Sequence, residues 1–220
     1  MKTLESGATR VLLVEDEPMV RGLLQELLES RGFAVTVAAD APAARELASE
    51  IKPHVLVVDI QLGSGPTGID LAHAVNAASK LAGLVFLTNL PEPRLIGYDS
   101  KSIPKGAAYL SKSRLTNSDL LIQAIAATLS GFVGKEFRDD LGARSSIPEL
   151  SRAQIDVLRM VASGLSNHEI AQRRNTGLRA VENLLHRAYE SMGIDTDTAS
   201  TNVRVNAAIS YLETLGMMRG

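Results

Sequence analysis

The sequence predicts an α/β domain with a doubly wound, five-stranded parallel sheet, followed by a small all-α domain. Two observations carry this prediction. Short apolar runs alternate with segments of helical periodicity over the first 132 residues, and such alternation is typical of a parallel sheet with helices on both faces. Beyond residue 150 the apolar residues recur at helical spacing.

Each predicted strand of the first domain is a short apolar or β-branched run bounded by turn residues or charges. Asp40 predicts the start of the second helix, because its side chain can cap free backbone N–H groups. Pro91, Pro93 and Pro104 precede the fifth strand, so the fourth helix is expected to be short or partly unwound. The predicted strands are 11–14, 33–38, 54–59, 84–88 and 107–110, and helices are predicted over about 19–31, 41–51 and 68–75 and from a Ser118 cap to about 132.

Polar side chains follow the carboxyl ends of four predicted strands, which a parallel sheet brings to one edge. Glu15 and Asp16 follow the first strand, and Asp59 ends the third. Thr88 ends the fourth strand, and Lys112 follows the fifth. Clustered carboxylates repel one another, and a set of oxygen ligands suits Mg²⁺. The sequence therefore predicts a magnesium site at this edge.

This set resembles the receiver domain of two-component response regulators over residues 8–132. The resemblance implies a flavodoxin-like fold, in which Asp59 accepts a phosphoryl group from a histidine kinase and the chain is not otherwise an enzyme. Thr88 would hydrogen-bond the phosphoryl oxygen, Lys112 would pair with it, and Tyr109 matches the aromatic position that rotates on activation. The implied Mg²⁺ ligands are Glu15, Asp16, Asp59 and the backbone carbonyl of Gln61.

Two departures from the receiver pattern lie near the predicted site. Gly63 stands where the family usually has a proline, in a longer loop, "GSGPTG", that is expected to be a flexible turn. The proline-rich region after Thr88 falls where the family places its output face. The route by which a signal leaves this receiver therefore stays open.

A second domain is predicted over residues 148–215, after a linker at 133–147 with glycines, mixed charges and no clear period. Ser151 and Ser166 each begin a capping box ahead of an apolar helix. A third helix follows Gly177 and ends near Gly193. Two helices joined by a short turn are typical of a helix-turn-helix.

The stretch "LSRAQIDVLRMVASGLSNHEIA" resembles the LuxR-type domain of the NarL/FixJ response-regulator subfamily, and the similarity spans about 150–212. The resemblance implies a transcription factor that binds double-stranded DNA. It also implies a homodimer, for which the family often uses the last helix, here predicted over 203–213. The candidate DNA contacts are Arg173, Arg174, Arg179, Glu182, Asn183, His186 and Arg187.

The predicted DNA-binding domain lacks the basic excess that such domains usually show. From Ile147 onward there are eight Lys and Arg residues and eight Asp and Glu residues. Glu182 also stands where the family tends to place a lysine, and residues 195–202 look like an insertion before the last helix. An alternative is therefore a receiver-controlled interaction protein whose helical domain binds another protein, or binds DNA weakly.

A third possibility is an aspartyl phosphatase, but those enzymes usually carry a second carboxylate where this chain has Gln61. The chain has no cysteine, which excludes disulfides and thiolate metal sites. No apolar run approaches the roughly 20 residues that span a bilayer, and the first ten residues lack the apolar stretch of a signal peptide. We therefore expect a cytoplasmic protein with no membrane partner.

Overall fold

The computed structural model describes residues 7–78, 81–115, 119–142, 150–195 and 202–215. The chain divides into two compact units. One, here called the sheet unit, comprises Met1–Asn89 and Ser102–Gly142. The other, the helical unit, comprises Leu90–Lys101 and Ala143–Gly220. The predicted Ser118 cap, residues 143–147 of the predicted linker and most of the predicted insertion lie outside the described residues.

The sheet unit is built on five parallel strands in the order β2-β1-β3-β4-β5, which confirms the predicted doubly wound sheet. Each predicted strand is observed with its ends shifted by at most one residue. The strands are β1 (Arg10–Val14), β2 (Ala34–Ala38), β3 (Val55–Val58), β4 (Gly83–Thr88) and β5 (Ala108–Ser111), and the helices between and after them are α1 (Pro18–Ser30), α2 (Ala41–Ile51), α3 (Gly68–Ala78) and α4 (Asp119–Ser130).

The core of the sheet unit lies on both faces of the sheet, because successive strand residues point to opposite sides. Val11 and Leu13 pack with Leu28 of α1 and Ile125 of α4 on one face. The alternate strand residues are equally buried, and α2 and α3 cover that side. Continuous apolar runs are expected for strands covered on both faces.

The predicted fourth helix is replaced by two short 3₁₀ turns, Pro93–Ile96 and Ser100–Ser102. Pro93 begins the first turn, where a missing N–H costs nothing, and Gly97 ends it at a φ of 92°. The prediction that this helix is short or unwound is confirmed. The segment that holds the first turn, Leu90–Lys101, belongs to the helical unit.

Residues 133–142, which the sequence assigns to a linker, differ from that expectation. They form a 3₁₀ turn, Lys135–Phe137, and a short helix, α5 (Asp139–Gly142), within the sheet unit. Phe137 is buried in the core, and the Asp139 carboxylate accepts a hydrogen bond of 2.8 Å from the backbone N–H of Ser111. Phe137 is a single buried apolar residue and produces no periodic pattern, so the sequence did not predict that this segment packs on the sheet unit.

The helical unit contains α6 (Arg152–Ala162), α7 (Asn167–Arg173), α8 (Leu178–Ser191) and α9 (Val203–Thr214). Both predicted capping boxes are present, at Ser151 with Gln154 and at Ser166 with Glu169. A turn joins α7 to α8, and buried apolar residues of α6, α7 and α8 form one cluster. None of the helices in the described parts of the chain has the length and apolar character that a membrane span requires.

Candidate functional site

Asp59 lies directly after β3, at the carboxyl edge of the sheet, as the sequence predicts. Its backbone N–H donates to the carbonyl of Val14 across 2.9 Å, which extends the ladder between β3 and β1 by one residue. Glu15 follows β1 on the neighbouring strand. Both side chains are buried, with Glu15 at 1% and Asp59 at 6% exposure. Parallel pairing therefore brings two buried carboxylates together.

Lys112 supplies the opposite charge between these carboxylates. Its Nζ lies 2.6 Å from Asp59 Oδ2 and 2.6 Å from Glu15 Oε2. The lysine follows β5 and begins a 3₁₀ turn, Lys112–Arg114. A buried carboxylate needs a partner, since an uncompensated charge in a weakly polar interior is costly. The three side chains form one ionic group. We call this group, together with the neighbouring Asp16, the acidic pocket.

The protonation equilibria of the acidic pocket reflect burial and charge pairing. Burial raises the pKa of the Glu15 carboxyl above its usual range, and the negative charge of Asp59 adds to the rise, while Lys112 opposes it. Burial alone would lower the pKa of the Lys112 ammonium. The charges of Asp59 and Glu15 and their hydrogen bonds outweigh burial, so the pKa of Lys112 lies above its ordinary value.

The loop after Asp59 holds its carboxylate in place. The backbone N–H of Gln61 donates to Asp59 Oδ1 across 3.1 Å, so the two carboxylate oxygens have different partners. Gly68 begins α3 against this loop, and a Cβ at Gly68 would lie 2.0 Å from the Asp59 carbonyl oxygen. Only glycine allows this approach. Gly63, where the family usually has a proline, has a φ of 69°.

Three carboxylates of the acidic pocket fit a divalent cation. Glu15, Asp16 and Asp59 each offer an oxygen, and these atoms lie within 4.8 Å of one another. Asp16 is exposed beside its two buried neighbours, so one side of the group is open to solvent. Hard oxygen donors and partial solvent access suit Mg²⁺, which usually keeps several waters.

Arg21 of α1 is a site residue that the sequence pattern did not predict. Its Nη1 donates to the backbone carbonyl of Glu15 across 2.6 Å and to that of Asp16 across 3.2 Å. The guanidinium therefore fixes the turn that carries two of the three carboxylates. A cation in the first turn of α1, five residues after the acidic pair, was the available signal in the sequence.

Thr88 and Tyr109 lie at the end of β4 and within β5, where the sequence predicts them. The Thr88 side chain is fully buried at the same edge of the sheet as Asp59. The Tyr109 ring is also fully buried and packs on Phe86 with ring centroids 6.3 Å apart. The sheet thus brings the five positions that the sequence predicts at the strand ends to one edge: Glu15, Asp16, Asp59, Thr88 and Lys112.

The predicted DNA-contacting residues lie in the helical unit, on and before α8. Val181 and Leu185 face the core, and this orients the remaining positions outward. Arg173 at the end of α7 is exposed, but Arg174 is only half-exposed and its Nη1 lies 3.6 Å from Asp156 Oδ2. The exposed side of α8 carries Arg179, Glu182, Asn183, His186 and Arg187.

Comparison with known proteins identifies the family. Residues 11–96 match the response regulator receiver domain. The nitrate/nitrite response regulator protein NarP of Escherichia coli strain K12 is 26% identical over 216 residues, which cover 90% of this chain and 94% of NarP. Residues 11–96 therefore form a response regulator receiver domain, and the chain as a whole is similar to a response regulator of the NarL/FixJ type.

Solved response regulators share the fold of this chain. The response regulator ChrA of a heme-sensing two-component system is 27% identical, with a TM-score of 0.50 and coverage of 97% of this chain and 100% of ChrA. RcsB of Salmonella enterica serovar Typhimurium, bound to promoter rprA with the phosphomimetic BeF3⁻, is 20% identical with a TM-score of 0.57. That alignment covers 96% of this chain and 100% of RcsB.

Proposed function

We propose that this response regulator is a phosphorylation-dependent transcription factor. Asp59 accepts a phosphoryl group from a sensor histidine kinase in the presence of Mg²⁺, and the helical unit binds double-stranded DNA as a homodimer. The observation that carries the proposal is the acidic pocket, where Lys112 contacts both Asp59 and Glu15 at 2.6 Å. Such a chain works in the cytoplasm, where kinase and DNA are accessible.

The residues of the acidic pocket suit phosphoryl transfer to a carboxylate. An oxygen of Asp59 attacks phosphorus, so a new P–O bond forms while the bond to the donor's leaving atom breaks. Lys112 neutralises charge on the transferred group, and the Thr88 hydroxyl donates to one of its oxygens. Phosphoryl transfer depends mainly on such positioning and electrostatic stabilisation.

A Mg²⁺ ion would be held by Asp16, Asp59 and Glu15 with the backbone carbonyl of Gln61. When bound, the ion neutralises negative charge on the phosphoryl oxygens and the carboxylates that face them. Arg21 holds the Glu15–Asp16 turn by its carbonyls, so the metal-binding carboxylates keep their spacing.

The exposed face of α8 supports the DNA-binding part of the proposal. Arg179, Asn183 and Arg187 recur at helical spacing on the side opposite the buried Val181 and Leu185. Arginine and asparagine are the side chains that most often pair with base edges in the major groove. The likeness to RcsB, which was solved bound to a promoter, agrees with this assignment.

Dimerisation is proposed through α9, as the resemblance implies. Val205 on this helix is 47% exposed, whereas Ala207 and Tyr211 are buried. Sedimentation of the full chain with and without beryllofluoride, a phosphoryl mimic, tests this step. A shift toward dimer is expected, and an unchanged monomer at tens of micromolar, a working range of about 10⁻⁵ M, would count against it.

Intact-mass measurement after incubation with a small phosphodonor and Mg²⁺ tests the phosphoacceptor directly. The wild-type chain should gain one phosphoryl group that is lost with time, since acyl phosphates hydrolyse. Asp59→Asn should gain none. Asp40→Asn is a matched control, because Asp40 caps α2 and asparagine caps helices equally well. Equal labelling of wild type and Asp59→Asn would refute the assignment.

The neutral charge of the helical domain favours a second candidate function. With eight basic and eight acidic residues from Ile147 onward, the domain has little general attraction for phosphates. A receiver-controlled interaction protein would use the same exposed face of α8 to bind a protein partner. Salt-dependent binding to duplex DNA distinguishes the two, because counterion release requires basic contacts.

A further inference from the structure

The last described residues of the sheet unit pack beside its outer strand. β5 is the last strand in the sheet order, and such a strand presents backbone groups with which a neighbouring segment can pair. Residues 135–142, which we call the edge segment, lie there. Arg138 of this segment forms a parallel bridge with Tyr109 of β5, and Phe137 is buried in the core. The edge segment is therefore packed against the strand that directly precedes Lys112.

An ion pair fixes the edge segment in one position. The Nε and Nη2 atoms of Arg138 donate to the two carboxylate oxygens of Asp140, each across 2.8 Å. The Asp140 side chain is 1% exposed. Two parallel hydrogen bonds between a guanidinium and a carboxylate are strong and define one geometry. This pair and the buried Phe137 hold the residue between them, Asp139, beside the end of β5.

The carboxylate of Asp139 binds the chain on both sides of Lys112. Its Oδ2 accepts a hydrogen bond of 2.8 Å from the backbone N–H of Ser111, and its Oδ1 accepts one from the guanidinium of Arg114. Ser111 directly precedes Lys112, and Arg114 ends the 3₁₀ turn that Lys112 begins. One side chain thus connects the two ends of the turn that carries the lysine of the acidic pocket.

The turn that carries Lys112 depends on these external bonds. The hydrogen-bond geometry of short 3₁₀ turns is poor, whereas a bond to a charged group is about twice as strong as a neutral one. Arg114 Nη1 also donates to the carbonyl of Glu136 across 3.1 Å. The edge segment therefore holds this turn through both a carboxylate and a main-chain oxygen.

The position of this turn determines where the Lys112 ammonium lies. Its Nζ is 2.6 Å from both Asp59 Oδ2 and Glu15 Oε2. A lysine has a flexible four-carbon stem, so its ammonium keeps such a position only where the backbone is fixed. Electrostatic stabilisation of a transferred group requires charges that are already in place.

We propose that Asp139 is a positioning residue for phosphoryl transfer to Asp59. It fixes the turn that carries Lys112, so that the ammonium meets the incoming group. This proposal rests on the proposed role of Asp59 as phosphoacceptor. In that step an oxygen of Asp59 forms the new P–O bond while the bond from phosphorus to the donor's leaving oxygen breaks. Asp139 acts only through Lys112 and exchanges no atoms with the donor.

The test follows the labelling of the full chain by acetyl phosphate, a small phosphodonor, with Mg²⁺ and intact-mass detection. Asp139→Ala should slow labelling about tenfold, since a misplacement of about 1 Å can cost up to about 100-fold. Arg114→Gln removes the same ion pair from its other partner and should slow labelling about threefold, because the bond from Ser111 to Asp139 remains. The Arg114 side chain is 44% exposed, so this variant leaves the core intact.

Asp119→Ala is the matched control for the loss of an aspartate ion pair. Asp119 pairs with Arg31 across 2.7 Å in the same sheet unit, and its side chain is 51% exposed. Neither residue contacts the turn that carries Lys112 through a hydrogen bond or ion pair of the described structure. This control should be labelled at the wild-type rate.

The NMR signal of the Lys112 ammonium separates positioning from general destabilisation. Its hydrogen bonds to two buried carboxylates slow proton exchange with water, and the signal is assigned by its loss in Lys112→Arg. Wild type and Asp119→Ala should give the same signal without phosphodonor. Asp139→Ala should shift or broaden it while the amide signals of β1 and β3 stay unchanged.

The two measurements together decide the role of Asp139. A wild-type labelling rate in Asp139→Ala and Arg114→Gln, slower labelling with an unchanged Lys112 signal, or equal slowing in Asp119→Ala would overturn the positioning role alone. A wild-type chain that gains no phosphoryl group on Asp59 would instead overturn the phosphoacceptor assignment, and the role of Asp139 in that reaction with it.

Discussion

The acidic pocket of the sheet unit and the exposed face of α8 in the helical unit place their functional side chains in opposite environments. In the pocket, Glu15 and Asp59 are buried, and the partly buried Lys112 contacts each of them at 2.6 Å. On α8, Arg179, Glu182 and their neighbours are exposed. Buried charges must be satisfied inside the fold, so their chemistry can be inferred from structure. The role of an exposed charge depends instead on the molecule that binds to it.

This difference also separates the energetic consequences of substitution. Removing one member of a buried ionic group leaves an uncompensated charge in the interior, which commonly costs about 3–5 kcal/mol. An exposed charge on a helix changes fold stability by at most about 0.5 kcal/mol. Substitutions in the pocket should therefore affect folding and phosphorylation together, whereas those on α8 should affect binding alone.

Lys112→Met is expected to have the largest effect on fold stability. We expect it to lower the free energy of unfolding by about 3 kcal/mol at neutral pH, because Glu15 and Asp59 then repel without compensation. Mg²⁺ should restore part of the loss, since it supplies positive charge to the same carboxylates. Urea unfolding with and without Mg²⁺ measures the loss of stability and its partial recovery. The exposed Lys105→Met is the control, and an equal, small effect of the two variants would show that the pocket charges are not coupled to folding.

The pH dependence of the free energy of unfolding tests the effect of burying the Glu15 carboxylate in the acidic pocket. The folded chain raises the pKa of Glu15 above 4.5, so it favours the protonated carboxyl and loses stability as pH rises through that range. Glu15→Gln should therefore gain stability relative to wild type as pH rises above 4.5, the ordinary pKa of glutamate. Urea unfolding of both chains at several pH values measures the difference. A difference that stays constant with pH would contradict the assigned burial of the charge.

The pKa of Lys112 makes a separate prediction at high pH. Because its folded-state pKa lies above 10.5, its contribution to stability is complete below pH 10.5 and is lost as pH rises through the folded value. The stability gap between wild type and Lys112→Met should close over that range. A gap that persists at still higher pH would mean that lost packing, not charge, explains the variant.

An effect of about 1 kcal/mol is expected for charge reversal on α8. Glu182→Lys should tighten DNA binding by about that amount and steepen the log–log salt dependence by about one unit, through one more released counterion. Arg187→Ala should do the reverse. Titrations against operator and random duplex at several salt concentrations measure this. Glu26→Lys makes the same charge change on the exposed side of α1 and should leave binding unchanged.

Two outcomes of that titration would change the interpretation of α8. If Glu182 accepts a hydrogen bond from a cytosine edge, Glu182→Lys should weaken binding to the operator while strengthening binding to random DNA. If neither Glu182→Lys nor Arg187→Ala alters binding to any duplex, α8 does not contact DNA. The interaction-protein function would then be the better account.

The smallest expected effects distinguish two adjacent arginines. Arg174 is half-exposed and pairs with Asp156 at 3.6 Å, whereas Arg173 is exposed. Arg174→Ala should lower the free energy of unfolding by about 0.5 kcal/mol, as expected for a partly exposed ion pair, with little change in DNA affinity. Arg173→Ala should lower DNA affinity and leave stability unchanged. Thermal unfolding and duplex titration of both variants would contradict this assignment if the two effects were exchanged.

The sheet and the acidic pocket could be predicted from sequence because both follow from local rules. Apolar runs of four to six residues must be buried, and parallel pairing then brings Glu15, Asp59 and Thr88 to one edge. The fold confirms every strand within one residue. Lys112 could be placed at the same edge since it follows the fifth strand directly.

Other features could not be predicted because they depend on contacts between distant parts of the chain. Residues 133–142 are held by Phe137 and by the bond from Ser111 to Asp139, and neither creates a periodic pattern. The prolines after Thr88 predicted a broken helix, but the hydrogen bond from Tyr211 to Leu95 joins residues 116 positions apart. No local rule places those two together.

A charge change at Asp59 in the sheet unit is proposed to control DNA binding by the exposed face of α8 in the helical unit. Its most direct test measures duplex binding by the full chain at fixed salt, with Mg²⁺, before and after treatment with a small phosphodonor. We predict that phosphorylation tightens binding of the wild type, because a dimer makes more phosphate contacts than a monomer. Asp59→Asn should bind equally in both conditions. Identical binding by the wild type with and without verified phosphorylation, or an equal response of Asp59→Asn, would contradict the claim.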